Sequence, residues 1–145
     1  MNPETLLSTS EIFFSLQGEG SHTGWPTVFI RTAGCNLRCL YCDTAYAQEG
    51  GEEKPLSEVL AAVAAYPCKR VCITGGEPLL QRAAVLELAR TLEARGYLLS
   101  LETNGSFPVV GLPAGLQAVI DVKTPGSGMS GVNNYENLRA ARRGF

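Results

Sequence analysis

Several features that would assign this chain to a large class of proteins are missing from its 145 residues. No hydrophobic run is long enough to cross a bilayer, and the polar N-terminal residues do not predict a signal peptide. Acidic and basic residues nearly balance, 14 against 12, which does not favour a protein that coats nucleic acid or a membrane surface. There is no internal repeat and no low-complexity tract. We therefore expect a single domain, residues 1–145, that is cytoplasmic and binds neither nucleic acid nor membrane.

The central cysteine group lacks a fourth member. Cys35, Cys39 and Cys42 follow one another at the spacing C-x3-C-x2-C. A structural zinc site needs four ligands, and an ordinary iron–sulfur cluster needs one cysteine for each iron. Three cysteines would leave one iron open to a substrate or cofactor. The sole histidine, His22, could instead complete a zinc site, so zinc remains an alternative at this point.

Strand patterns alternate with helix patterns along the chain, which predicts an α/β fold with a mostly parallel sheet. The predicted strands are 10–16, 27–31, 70–74, 97–103 and 118–123, and the predicted helices are 56–66, 79–95 and 133–143. Residues 1–9, 49–54 and 106–116 are predicted to lack a full strand or helix.

Unusual motifs follow four of the predicted strands. They occupy residues 35–44, 75–78, 102–105 and 123–128. Because ligands bind at the carboxyl ends of parallel strands, we expect these four loops to meet at one site.

Two of these loops carry a family resemblance. The cysteine spacing, with Tyr41 just before the last cysteine, resembles the cluster-binding loop of the radical S-adenosylmethionine (SAM) superfamily, and residues 75–78 resemble its GGEP motif. The resemblance implies a partial (β/α) barrel, a [4Fe-4S] cluster on the three cysteines, and SAM bound at the open iron. It implies no catalytic residue beyond the cofactor. The residues expected to bind SAM are Tyr41, Gly75, Gly76, Glu77, Glu102, Asn104 and Lys123.

Further stretches resemble one family within that superfamily, the 7-carboxy-7-deazaguanine synthases of the queuosine pathway. They are residues 13–20, which end in Leu-Gln-Gly-Glu-Gly, residues 24–35, and Cys42-Asp43-Thr44. This resemblance implies that a deoxyadenosyl radical takes hydrogen from C6 of 6-carboxy-5,6,7,8-tetrahydropterin. The ring then contracts with loss of ammonia.

The same resemblance implies ligands and partners. Thr44 would bind Mg²⁺, and Glu19 and Arg31 would contact the pterin, with Gln17 and Thr74 as further candidates. A planar guanidinium suits a substrate carboxylate. An electron donor such as flavodoxin or ferredoxin and a homodimer are implied for the family.

Two other functions remain open from the sequence. One is an activating enzyme that uses the same cluster to install a glycyl radical on a partner protein. The other is a zinc-stapled or electron-transfer module without enzymatic activity. Synthases of the resembled family are longer than this chain, so we also expect it to be truncated at its C-terminus.

Overall fold

A six-stranded sheet forms the centre of the protein. The computed structural model describes residues 4–141. The strands are β1 Leu6–Leu16, β2 Pro26–Thr32, β3 Glu52–Pro55, β4 Arg70–Gly75, β5 Leu98–Thr103 and β6 Leu116–Ile120. The helices are α1 Leu56–Ala64, α2 Arg82–Ala94 and α3 Glu136–Ala141. The predicted α/β class with a mostly parallel sheet is confirmed.

The strand order places the ends of the parallel strands along one edge. The order is β3-β1-β2-β4-β5-β6, in which β2, β4, β5 and β6 are parallel and β1 is antiparallel to both of its neighbours. The loops that follow β2, β4, β5 and β6 therefore leave the sheet on the same side.

The hydrophobic core lies between the sheet and helices α1 and α2. On β2 and β4, Ile30 and Ile73 are completely buried. On α1, Val59 and Val63 are four residues apart and both buried, as one face of an amphipathic helix requires. Burial of this apolar surface drives folding and fixes the sheet edge that carries the loops.

The start of the chain is more ordered than the sequence predicts. β1 begins at Leu6 instead of residue 10, and it pairs with β3, which begins within the segment 49–54 that was expected to be irregular. Leu7 and Thr9 are buried, and they pair with Lys54 and Glu52 of β3. Pairing with a neighbouring strand overrides the weak local pattern of these polar residues.

Two helix boundaries also differ from the prediction. A 3₁₀ turn, Pro78–Gln81, precedes α2, and α3 begins at Glu136 instead of residue 133. Asn134 accepts a hydrogen bond from the Glu136 amide at 3.2 Å, which is a typical way to start a helix. Residues 142 and 143 of the predicted last helix lie outside the described residues.

None of the helices within residues 4–141 combines the length and apolar character that a bilayer crossing needs.

Candidate functional site

A cavity of about 510 Å³ opens at the carboxyl ends of the parallel strands. Loops from distant parts of the sequence meet there, as the motif positions predict. The predicted site residues that line it are Gln17, Glu19, Arg31, Cys35, Cys39, Tyr41, Cys42, Thr44, Thr74, Gly75, Gly76, Glu102, Asn104 and Lys123. Glu77 is the one predicted residue that does not line this cavity.

The three cysteines lie in an irregular loop directly after β2. Cys35, Cys39 and Cys42 are half-buried free thiols. The Leu37 amide donates to Cys35 Sγ at 3.5 Å, and the buried Leu37 side chain anchors the loop. The loop therefore presents three unbridged thiols to one cavity, a donor set that fits a cluster with three protein ligands.

Contacts with other loops hold the cysteine loop in place. The Leu40 amide donates to the Ser127 carbonyl oxygen at 3.0 Å, and Tyr41 Oη lies 2.9 Å from Thr124 Oγ1. Arg38 donates to the Cys35 carbonyl oxygen at 2.7 Å. The segment after β6 thus packs across the loop that carries the thiols.

The arrangement does not favour the zinc alternative. In the part of the chain from residue 4 to 141, no three His, Cys, Asp or Glu side chains are grouped so that they could hold one metal ion. His22 does not line the cavity. Each thiolate of an iron–sulfur cluster binds a different iron, so its sulfurs stand farther apart than those around a single ion.

Gly75 ends β4 against Thr32 of β2, and Gly76 lies against the start of the cysteine loop. A Cβ atom at Gly76 would lie 2.2 Å from the Gly34 carbonyl oxygen and 2.8 Å from Cys35 Cβ. Only glycine leaves room for this contact between backbones. Gly75 and Gly76 line the cavity with their backbone, where polar main-chain groups can meet a ligand.

Glu77 is predicted to bind SAM, but its side chain does not line the cavity. Its side chain is fully buried, and Oε1 accepts hydrogen bonds from the Leu79 amide at 2.9 Å and from Thr103 Oγ1 at 2.8 Å. Oε2 accepts a hydrogen bond from the Asn104 amide at 2.7 Å. Burial raises the pKa of Glu77, and these hydrogen bonds offset part of that shift. The carboxylate joins the end of β4 to the end of β5 beneath the cavity.

Asn104 connects the end of β5 with the cysteine loop. Its Nδ2 donates to Asn36 Oδ1 at 3.0 Å and lies 4.0 Å from Cys35 Sγ. On the neighbouring strand, Thr74 Oγ1 donates to Glu102 Oε2 at 2.8 Å. The side chains at the ends of β4 and β5 are therefore held by one another at the cavity wall.

Acidic groups gather on one side of the cavity. Burial, together with the nearby carboxylates of Glu102, Asp121 and Asp43, raises the pKa of Glu19. Lys123 forms an ion pair with Asp121. Burial opposes the charge on Lys123, but the hydrogen bond and charge of Asp121, together with the nearby Cys39 and Tyr41, outweigh burial and raise the pKa of Lys123. The cavity thus offers both signs of charge to a zwitterionic ligand.

Gln17 carries an unpaired polar group at the cavity. Its side chain is buried and its Oε1 accepts from the Glu19 amide at 3.1 Å, whereas Nε2 has no partner among the described residues. Thr44 also lines the cavity, and its Oγ1 donates to Asp43 Oδ1 at 2.8 Å.

Arg31 has neighbours that sequence reasoning missed. Its Nε donates to Glu11 Oε1 at 2.8 Å, and Tyr46 Oη donates to the same oxygen at 2.6 Å. Glu11 is the cross-strand partner of Arg31 in the β1–β2 ladder. Opposite charges on facing strands indicate a cross-strand ion pair, but such a pair can be recognised in a sequence only when the register of the two strands is known.

A second, larger cavity of about 950 Å³ lies elsewhere, beside residues 109–118 and α3. None of the predicted site residues lines it. The larger cavity is therefore not the candidate site, because the thiols and the charged side chains predicted to bind ligands line the smaller one.

Residues 29–140 match the family model described as the radical SAM superfamily. That match covers more than half of the chain, so the chain belongs to the radical SAM superfamily. Membership implies a [4Fe-4S] cluster and SAM as cofactors.

Within the superfamily, the similar proteins are 7-carboxy-7-deazaguanine synthases. The one from Methanospirillum hungatei is 49% identical over 92% of this chain and 58% of its own length. The one from Chlorobaculum tepidum is 43% identical over 97% of this chain and 64% of its own length. This chain thus spans less than two thirds of either relative.

A solved structure has the same fold. The crystal structure of QueE from Escherichia coli superposes with a TM-score of 0.78 and 27% identity, over 94% of this chain and 68% of that one. These relatives do not favour the glycyl-radical activating enzyme or the module without enzymatic activity.

Proposed function

We propose that this chain carries the radical SAM chemistry of a 7-carboxy-7-deazaguanine synthase. The substrate would be 6-carboxy-5,6,7,8-tetrahydropterin, and the product 7-carboxy-7-deazaguanine, with loss of ammonia. One observation carries the proposal: three free thiols, a glycine backbone and an arginine line a single cavity, in a chain 49% identical to such a synthase.

The cysteines and glycines are proposed to hold the cofactors. Cys35, Cys39 and Cys42 would bind the cluster through their thiolates. When bound and reduced, the cluster and SAM would supply the radical chemistry that removes hydrogen from C6 of the pterin. Tyr41, the backbone of Gly75 and Gly76, and the side chains of Glu102, Asn104 and Lys123 would seat SAM. Lys123 suits its carboxylate, because an ammonium and a carboxylate form a charge-assisted hydrogen bond.

Other side chains are proposed to bind the pterin. Arg31 would pair with the carboxylate on C6 through its planar fork. Glu19 and Gln17 would contact the ring, since Gln17 Nε2 is a buried donor without a partner among the described residues. Thr74, whose Oγ1 also donates to Glu102, is the remaining side chain proposed to contact the pterin.

Magnesium is proposed at Thr44. Mg²⁺ prefers oxygen ligands and keeps several waters, so one hydroxyl beside Asp43 would need substrate oxygens to complete the shell. We further propose that residues 1–145 act as one domain, in the cytoplasm, as a homodimer that receives electrons from flavodoxin or ferredoxin.

The decisive experiment is turnover by the chain itself. The reconstituted, reduced protein is incubated without oxygen with SAM and the carboxy-tetrahydropterin, and the deazapurine product is detected by mass. Formation of 7-carboxy-7-deazaguanine is expected. Formation of 5′-deoxyadenosine without any deazapurine would contradict the proposed substrate, while leaving the superfamily chemistry in place.

A further inference from the structure

A network outside the predicted site residues surrounds Arg31. Arg31 on β2 lies directly opposite Glu11 on β1, and its Nε donates to Glu11 Oε1 at 2.8 Å. Tyr46 comes from the short 3₁₀ helix Ala45–Ala47 that follows the cysteine loop, and its hydroxyl donates to the same oxygen at 2.6 Å. One carboxylate oxygen therefore ties together two strands and the segment after the cysteines.

Two aromatic rings also restrain the guanidinium. Arg31 Cζ lies 5.5 Å from the centre of the Phe13 ring and 5.9 Å from that of Tyr46. Phe13 is itself stacked on Phe29, with ring centres 5.0 Å apart. Rings at these distances attract a cation, so they add to the hydrogen bond in fixing the guanidinium.

The remaining edge of the guanidinium is left for a ligand. Among residues 4–141, Arg31 uses only Nε for a hydrogen bond to another side chain. Nη1 and Nη2 form the edge that can donate two parallel hydrogen bonds to one carboxylate. The Arg31 side chain is 17% exposed and lines the cavity, so a ligand in the cavity can contact it.

We propose that Glu11 and Tyr46 are positioning residues: they present the Nη1–Nη2 edge of Arg31 to the substrate carboxylate and set a preference for carboxylated pterins. The inference rests on the proposed function, because it takes a carboxylated pterin as the ligand. The Glu11 side chain is 40% exposed, so its ion pair adds little to folding stability. Holding a long side chain in its bound geometry before the ligand arrives favours binding instead.

Charge alone predicts the opposite result, which makes the inference testable. Glu11 neutralises part of the positive charge of Arg31, so removing it would strengthen the attraction for any anion if orientation did not matter. If orientation dominates, Glu11→Gln weakens carboxylate binding even though the site becomes more positive.

The test compares two probes, pterin-6-carboxylate and 6-methylpterin, that differ in the carboxylate. Their affinities for the cluster-loaded protein with SAM are measured by pterin fluorescence. We expect the preference for the carboxylated probe to fall about fivefold in Glu11→Gln, because the neutral amide oxygen is a weaker acceptor for Arg31 than the carboxylate oxygen it replaces. A smaller factor is expected in Tyr46→Phe, which keeps the ring. Tighter binding of the carboxylate by Glu11→Gln would overturn the proposal.

Matched controls make the same two kinds of substitution at residues outside the cavity. Glu53→Gln alters an exposed glutamate on β3, and Tyr66→Phe removes a hydroxyl from a ring that stacks on Phe14 outside the cavity. Both are expected to leave the preference unchanged. Thermal unfolding checks that each variant is folded. Should Glu11→Gln fail to fold, Tyr46→Phe decides the inference, and an unchanged preference in that variant overturns it.

A double-mutant cycle separates positioning from a general structural effect. Lysine at position 31 keeps the charge but lacks the fork, so Glu11→Gln should change the preference by less than about twofold in an Arg31→Lys background. Equal losses in both backgrounds would overturn the inference.

The test of the positioning role can fail or succeed independently of the test of the proposed reaction. A wild-type protein that prefers the carboxylated probe but forms no deazapurine contradicts the reaction and leaves the positioning role intact, provided Glu11→Gln loses that preference. A wild-type protein that forms product, with a preference unchanged by Glu11→Gln, contradicts the positioning role alone.

Discussion

Nδ2 of Asn104 donates a hydrogen bond of 3.0 Å to Oδ1 of Asn36, so the end of β5 holds the cysteine loop directly. The two residues are far apart in sequence, and the contact is local to the wall of the cavity.

Asn104→Ala should loosen the cysteine loop. A lost hydrogen bond of this kind costs about 1 kcal/mol, so amide hydrogen exchange in residues 35–42 is expected to accelerate about fivefold in the metal-free protein. Asn134→Ala, which removes only the exposed hydrogen bond to the Glu136 amide, is the control. Equal exchange rates in Asn104→Ala and the wild type would contradict the prediction.

Cys39→Ala should abolish cluster binding and SAM cleavage, because the two remaining thiolates leave two of the four irons without a protein ligand and do not hold the cluster in place. Iron content and 5′-deoxyadenosine after reconstitution are the measurements. Cys68→Ala is the matched control, since Cys68 is also a half-buried free thiol but does not line the cavity. Full iron content and undiminished cleavage in Cys39→Ala would rule out the assigned ligand set.

Glu77→Gln should lower the free energy of unfolding by about 1–3 kcal/mol. Three donors meet the two oxygens of this buried carboxylate, and an amide nitrogen in place of one oxygen cannot accept any of them. Urea unfolding measures the change. The exposed Glu53→Gln is expected to stay within about 0.5 kcal/mol of the wild type, and a similar small change in Glu77→Gln would show that the carboxylate does not hold the strand ends together.

Gly76→Ala should displace the cysteine loop. The added methyl group would lie 2.2 Å from a backbone oxygen of Gly34, which cannot turn aside as a flexible side chain can. We expect less iron per protein and a loss of about 1–3 kcal/mol in the free energy of unfolding. A Cβ at Gly131 meets nothing within 4 Å, so Gly131→Ala is the matched control. Iron content as high as in that control would count against a close backbone contact.

Cys72 should resist alkylation in the folded protein. Burial, and next the nearby charge of Glu102, raises the pKa of the Cys72 thiol to about 12. At about pH 8.5, where part of an ordinary thiol population is ionised, iodoacetamide should label Cys68 and leave Cys72 unlabelled, as mass spectrometry of peptides can measure. In urea the two should react alike. Native labelling of Cys72 at the rate of Cys68 would contradict its burial.

The raised pKa of Cys72 also predicts how the stability of the fold changes with pH. The folded thiol holds its proton to a higher pH than the unfolded thiol, whose ordinary pKa is 9.0. Cys72 therefore lowers the stability of the fold only as the pH rises above 9.0, through the range up to about 12.

Strongly patterned segments could be predicted from the sequence, and segments that depend on a partner could not. The 27–31 and 70–74 runs are apolar and β-branched, and both became strands within one residue of the predicted bounds. β3 is short, polar and at the edge of the sheet, so its own residues carry no strand signal. β3 forms because its backbone pairs with that of β1.

Some features of the candidate site could likewise be predicted from the sequence, and others could not. Motif positions at strand ends could be predicted, because the carboxyl ends of parallel strands share one edge. The direction of the Glu77 side chain could not, since a motif states residue types but not which donors surround a carboxylate. Glu11 and Tyr46 were missed because their contact with Arg31 needs both the register of β1 against β2 and the course of the loop after Cys42.

The position of β1 between β2 and β3 has a consequence for synthesis on the ribosome. β1 emerges first, yet its hydrogen-bonding partners end at Thr32 and Pro55, so its backbone stays unpaired until those residues have followed. The hairpin with β2 can then close before β5 and β6 are translated. The nascent polypeptide would thus carry Glu11 and Arg31 side by side while the far wall of the cavity was still being made.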